Sequence, residues 1–342
     1  MSSKVVTIRD IASAAGVSVS TAFRALKDEE LVKPATRAKV MAAKHILENE
    51  KTQSYKKSSA EPLSFGIIMP VSTAQDIGRH PSMFVLVTSF LSELSKNNIS
   101  NTMLVFDENS MRAEDLLVRP MDGYMITGTS SEQERLLLPV LSRAKIPCVI
   151  VNRHADAPYI SCVKIDDKAA TADATRYLIS LGHTRIAYLS GSKNYQHTMR
   201  RMDGYLQAMS EAHLPVPDKW MVNGDYSETS GYTMGKMIAS LDVRPTAVLC
   251  ASDTIAIGCL YAMEEKNISV PQECSIIGFG NIESSRLVTP KLTTITQPSL
   301  DMGSLAANML MQMIQIPGIV SEQLILQTRL VIRESTAEVN EK

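Results

Sequence analysis

Ser18, Ser20, Thr21, Arg24 and Lys27 lie within ten residues of one another near the N-terminus. Their chemistry is that of nucleic-acid contact. A guanidinium can bridge guanine O6 and N7, short hydroxyls reach nearby base edges or phosphates, and an ammonium neutralises phosphate. No competing catalytic set is legible. The chain has no GxSxG, no P-loop and no HExxH. Gly278-Phe279-Gly280 lacks the third glycine of a dinucleotide fingerprint, and the six histidines are scattered, with His183, just after Gly182, expected to cap a helix end. No enzyme, metal site or cofactor is expected.

The elements that must position these donors are two short helices. Thr7 is placed to cap the first, with Asp10 reciprocating, and Ile8, Ile11, Ala12 and Ala15 form one apolar stripe. Gly16 breaks that helix, and Ser18 can cap a second, running from Val19 to about Lys27. On the second, Ala22, Ala25 and Leu26 face inward, Ser20, Arg24 and Lys27 point away, and Thr21 and Phe23 flank. Arg24 is the expected base reader, with Ser20 and Val19 adding short-range contacts, Val19 against a thymine methyl. A third helix is expected from Pro34 to about Glu48, then a polar linker over 49–62.

Charge supports this division. Residues 1–58 carry 11 Lys and Arg against 6 Asp and Glu, leaving 24 against 30 in the remainder. A basic segment on an acidic body is the footprint of a nucleic-acid binder. The five cysteines (148, 162, 250, 259, 274) form no CxxC pair and are expected as buried apolar residues in a reducing cytosol. No secretion signal is legible, nor any run of about 18 uncharged apolar residues, so a cytoplasmic protein without a membrane partner is expected.

After Pro62, short apolar runs at 65–69, 102–106, 123–126 and 148–151 alternate with helical patterns such as 83–96 and 132–144. The alternation resumes from 167 to 279. Strands alternating with helices imply parallel sheets of βαβ units. The expected fold class is α/β: a three-helix helix-turn-helix head, then two doubly wound parallel-sheet subdomains with a ligand cleft between them. The expected boundaries are 1–48 for the head, 49–62 for the linker, 63–163 with 292–320 for the first core subdomain, 164–291 with 321–335 for the second, and 336–342 for a tail.

Thr7-Ile8-Arg9-Asp10-Ile11-Ala12, Ala15-Gly16-Val17-Ser18 and Thr21…Arg24-Ala25-Leu26 closely resemble the N-terminal signature of the LacI/GalR family of bacterial repressors. Leu181-Gly182-His183-Thr184-Arg185-Ile186-Ala187, Arg201-Met202-Asp203-Gly204-Tyr205 and Ala251-Ser252-Asp253-Thr254 look like its core motifs, and the match runs from residue 5 to about 335. The resemblance implies a homodimer with a periplasmic-binding-protein-like core, binding double-stranded operator DNA under control of a small sugar, nucleoside or purine. It implies DNA contacts from Thr7, Ser18, Val19, Ser20, Thr21, Arg24, Lys27 and Thr36, and effector contacts from Arg201, Tyr226, Asp253 and Asn281.

Departures from the family pattern carry their own expectations. Asn49, Lys51, Thr52, Tyr55 and Ser58 stand where the hinge usually has Tyr, Pro, Asn, Ala and a wedging Leu, so the linker is expected to stay flexible or only partly helical on DNA. Phe23 replaces a usual Ser, Lys33 a capping Ser, and Gly280 an Asp. The segment 109–121 is shorter than the usual helix. The main alternative to a ligand-responsive repressor is a cytoplasmic sugar- or nucleoside-binding sensor with weakened or lost DNA binding.

Overall fold

The structure, a computed structural model, describes residues 7–27, 32–55, 63–70, 80–118, 120–153, 157–316 and 321–339. The head forms as its sequence dictates. Helix α1 (Ile8–Ala15) is capped at Thr7, whose Oγ1 accepts from the Asp10 N–H while Asp10 Oδ2 accepts from the Thr7 N–H at 2.9 Å. Gly16 ends it at φ 65°, a left-handed turn open to glycine at no steric penalty. Helix α2 (Val19–Leu26) starts at Ser18, whose Oγ accepts from the Thr21 N–H at 3.1 Å. Ile11, Ala12, Ala22, Ala25, Val32, Val40 and Ala43 make a small core, the alanines letting short helices approach closely.

Helix α3 (Pro34–Tyr55) extends past the expected end near Glu48 and into the segment expected as linker. No glycine or proline occurs between Ala35 and Glu61, and Glu, Lys and Gln in that stretch are good helix formers, so nothing local stops the helix at 48. Ser58, where a wedging Leu is usual, lies outside the described residues.

The core holds two six-stranded sheets. The first contains β1 (Ser64–Pro70), β2 (Ser100–Phe106), β3 (Gly123–Ile126), β4 (Cys148–Val151), β5 (Ile160–Ile165) and β11 (Gln323–Leu326), in the order β11-β5-β4-β3-β1-β2. The second contains β6 (Ile186–Ser190), β7 (Met221–Asn223), β8 (Ala247–Cys250), β9 (Ser275–Gly280), β10 (Thr293–Thr296) and β12 (Leu330–Val331), in the order β12-β10-β9-β8-β6-β7. Only the β10–β12 pair is antiparallel among the described strand pairs. Inner strands such as β3, β4 and β8 are buried throughout, as parallel strands covered on both faces must be. Covering helices are α4 (Pro81–Lys96), α5 (Ser131–Arg143) and α10 (Ser299–Gln315) for the first sheet, and α6 (Asp167–Ser180), α7 (Gln196–Glu211), α8 (Glu228–Ala239) and α9 (Asp253–Glu265) for the second. Among the described residues of the shortened segment 109–121, the helical element is a 3-10 turn, Ala113–Leu117.

Strand pairing moves two expected subdomain assignments. Residues 293–296, expected in the first subdomain, form β10 and pair in parallel with β9 of the second sheet, Thr293 opposite Ile277. Residues 323–326, expected in the second, form β11 and pair with β5 of the first, Gln323 opposite Cys162. The chain therefore crosses between sheets after β5, after β10 and after β11. A short Thr/Ile run fits either sheet equally well by pattern; only pairing partners decide. His183 does not cap a helix with its side chain. Its buried ring sits within 3.1 Å of Thr246 Oγ1, Ser275 Oγ and the Ala337 carbonyl, fastening the C-terminal segment to the second sheet.

Candidate DNA-reading face and effector cleft

On α2, Val19, Ser20, Phe23, Arg24 and Lys27 are exposed, while Ala22 and Ala25 are buried. The expected readers Val19, Ser20, Arg24 and Lys27 thus share one outward face. Thr7 and Ser18 spend their side chains on helix caps, and Ser18 Oγ also lies 2.9 Å from Ser20 Oγ and 2.7 Å from Thr21 Oγ1. Thr36, half-buried, sits in the first turn of α3, its N–H donating to the Lys33 carbonyl at 2.9 Å.

The cleft lies at the carboxyl ends of the parallel strands, where open α/β sheets bind ligands. It encloses about 850 Å³ including its open mouth. Asn152 reaches it from the end of β4, Tyr195 and His197 from the start of α7, and Arg201 from one turn further along. Tyr226 enters after β7, Asp253 at the start of α9, Phe279 from β9 and Gln297 after β10.

Arg201 is the most heavily engaged of these. Its Nε donates to Asp167 Oδ1 at 2.7 Å, Nη1 to the Ala251 carbonyl at 2.6 Å and Nη2 to Gln297 Oε1 at 3.3 Å. The guanidinium also lies 3.5 Å from the centroid of the Phe279 ring. Burial works against its charge, but the Asp167 carboxylate together with Tyr226 and Tyr188 offsets it and holds Arg201 above its ordinary value. Burial pushes Asp167 up, with Arg201 opposing. A 2.7 Å contact with two carbonyl-type acceptors around it is the geometry of a charged pair.

Asp253 forms part of the floor. Its carboxylate accepts from Thr294 Oγ1 at 2.5 Å and from the Ile282 N–H at 2.8 Å. Burial pushes its pKa up to about 6 against those hydrogen bonds. Its neighbour Gly280 has φ 130°, and a Cβ there would stand 3.6 Å from Asp253 Oδ2. An acid at 280 would bring a second negative charge to a carboxylate already hard to ionise.

Tyr226 and two residues not singled out from sequence form an aromatic wall. His197 lies 5.5 Å from the Tyr195 ring and 5.4 Å from Tyr226, and Tyr226 Oη sits 2.7 Å from Thr198 Oγ1. Burial, reinforced by Arg201 and Arg153, holds His197 well below its ordinary value, so the ring is neutral. Its Nδ1 is buried with no hydrogen-bond partner among the described residues. Behind Tyr195, Arg153 is ion-paired with Glu134 at 2.9 Å and bonded to the Thr129 carbonyl.

The structure brings Arg201, Tyr226 and Asp253 to one cleft, with Asn281 beside Asp253 through its backbone and its side chain turned to Arg333. The Asn281 backbone turns at φ 53°, and its Oδ1 accepts from Arg333 Nη2 at 2.5 Å, away from the cleft-lining set. A signal for the missed pair existed: Tyr195 and His197 open a helix after a strand, and His197 precedes Arg201 by four residues, one helical turn.

Residues 7–48 match the model for bacterial regulatory proteins of the lacI family, and residues 175–336 match the periplasmic binding protein-like domain. The HTH-type transcriptional repressor PurR of Salmonella newport (strain SL254) is 32% identical over 342 residues, covering 97% of this chain and 97% of that protein. A LacI family transcriptional regulator from Enterococcus faecium, solved with bound ribose, superposes with a TM-score of 0.70 at 26% identity, covering 81% of this chain and 100% of that one. The lac repressor dimer bound to operator and the anti-inducer ONPF superposes with a TM-score of 0.71 at 24% identity, a likeness of fold covering 98% of this chain and 100% of that one.

Proposed function

This chain belongs to the LacI family of bacterial regulatory proteins, and on that premise we propose that it is a cytoplasmic homodimeric repressor released from or locked onto its operator by a small ring-shaped metabolite. The observation that carries the reading is the coexistence in one chain of an outward helix face bearing Ser20, Arg24 and Lys27 on a basic head and a cleft between two sheets lined by aromatic rings and buried polar groups. Each half alone has other uses. Joined, they make a DNA reader with a sensor.

The cleft suits a sugar, nucleoside or purine. Tyr195, His197 and Tyr226 offer ring faces, while Arg201, Gln297, Asn152 and the unpartnered His197 Nδ1 offer donors and acceptors for hydroxyl or amide groups. The ribose carried by the Enterococcus faecium relative agrees with that class. Arg201 and Tyr226 are the proposed ligand contacts, and Asp253 is the proposed pin that sets the cleft floor. A dimer would place two heads on two half-sites. Phe84 and Val85 on α4, Leu300 on the adjoining α10, and Met103 and Val105 on edge strand β2 leave apolar surface on the first subdomain for a second copy. Among the described residues, no helix is long and apolar enough to cross a membrane.

The test is selection of bound duplexes from random DNA by the full chain, followed by a thermal-shift screen of pentoses, hexoses, nucleosides and purines. Enrichment of one two-fold-symmetric site, and a ligand that raises the midpoint, support the reading. At about 100 times its dissociation constant such a ligand stabilises the folded chain by about 2.7 kcal/mol. A chain that enriches no sequence is not a specific repressor.

A further inference from the structure

Phe23 is 41% exposed and Val19 47% exposed on the outward face of α2. Phe23 is the one Phe, Tyr or Trp between residues 7 and 47, yet the head core is filled by alanines and short aliphatics instead. Burial of apolar area stabilises in proportion to its size, so a head this small leaves its largest apolar ring outside. At about 100° per residue, Val19 and Phe23 stand about 40° apart, and Arg24 lies about 100° beyond Phe23. The outward face is thus half apolar and half polar. Lys27 stands over the ring, its Nζ 4.7 Å from the centroid, a contact that draws the ammonium to the Phe23 side of the helix.

The only base-edge group in the major groove that rewards an apolar side chain is the thymine 5-methyl, and the polar half of such a face matches purine or phosphate acceptors. We infer that Phe23 is a base-reading residue: its ring covers the 5-methyl group of a thymine beside the base pair contacted by Arg24, and it holds Lys27 for the adjoining phosphate. The inference rests on the repressor reading and names the base chemistry of its head. It also separates two jobs on one face. The ring carries sequence information through the methyl, while the ammonium it supports adds salt-dependent affinity that any sequence provides.

The experiment uses the full-length chain and the duplex it selects from random DNA. Each thymine of that duplex is replaced in turn by deoxyuridine, which deletes only the 5-methyl. Affinities are measured for the wild-type chain, Phe23→Ala, Phe23→Leu and Arg24→Ala. For the wild type, deoxyuridine at one position per half-site is expected to weaken binding about three- to fivefold, the worth of one buried methyl group. Phe23→Ala should bind the thymine duplex that much more weakly and be indifferent to deoxyuridine at the same position. Phe23→Leu should keep part of the sensitivity, and Arg24→Ala should keep all of it. Phe23 is exposed, so loss of the head fold is not expected, and the helical circular dichroism of each variant checks this.

Three results overturn the inference: no thymine position at which the wild type responds, equal deoxyuridine sensitivity in wild type and Phe23→Ala, or equal weakening of Phe23→Ala on selected and random duplexes. The last would make the ring only a support for Lys27. Failure of the wild type to select any site would instead sink the repressor reading itself, and this assignment with it.

Discussion

Arg201 Nε and Asp167 Oδ1 lie 2.7 Å apart, with both side chains only 5% exposed. Asp167 opens α6 directly after β5, at the first crossing between the sheets, so the cation in the cleft is fastened to a hinge of the core. A ligand that competes for or reinforces the Arg201 donors acts on the segment joining the two subdomains. That is a physical route from ligand to relative subdomain position.

The pair also sets what truncation does. Arg201→Ala strands a buried carboxylate, and breaking such a pair costs about 3–5 kcal/mol. Arg201→Ala is therefore expected to lose stability as well as ligand response. Asp167→Asn combined with Arg201→Gln should cost less than the two single changes added together. Urea unfolding of the four proteins checks this; additive losses would mean that the pair contributes no coupling.

Asp253 predicts a pH dependence. Its folded pKa near 6 lies above the ordinary 3.8, so the folded chain holds this proton more tightly than the unfolded one. The stability it contributes is complete below about pH 4 and is lost as pH rises through 6, by about 3 kcal/mol. Asp253→Asn should flatten this part of the profile. The readout is the difference in unfolding free energy between wild type and variant from pH 4 to 7; a constant difference contradicts it.

Gly191 packs under Tyr226, where a Cβ would come within 2.3 Å of the ring. Gly191→Ala should push the ring into the cleft and weaken ligand binding by up to about tenfold, the worth of one aromatic contact, while operator affinity without ligand stays unchanged. Calorimetric titration with the ligand found by thermal shift measures the first effect and gel shift the second.

Arg24→Ala should weaken binding to the selected site by about 1–3 kcal/mol and relax preference at one base pair. Lys39→Ala should weaken all sequences alike and reduce the salt dependence, as loss of a phosphate contact does. Equal loss on selected and random DNA after Arg24→Ala would remove its assignment as a base reader.

Local chemistry was legible where it is self-contained. Thr7 with Asp10, Gly16 and Ser18 each act within a few residues, and all four fall where the pattern places them. The alternating apolar runs placed β1 to β4, β6, β8 and β9 for the same reason, but not the remaining strands. What sequence could not supply was partner choice at long range. β10 and β11 have no local feature that selects a sheet, and Asn281 has none that reveals Arg333 as its partner. Arg201, Tyr226 and Asp253 line one cleft, and the deep engagement of Arg201 and Asp253 is a property of packing. For His197 the one sequence mark is its one-turn spacing to Arg201; nothing local reveals the two rings that come to flank it.

Coupling between cleft and head is read by reciprocal titration. Operator affinity is measured with and without saturating ligand, and ligand affinity with and without saturating operator. Each should shift the other by the same factor, between about 5-fold and 150-fold. In Tyr226→Ala, ligand affinity should fall while ligand-free operator binding persists. Operator affinity that stays the same at saturating ligand in the wild-type chain would mean that cleft and head are uncoupled.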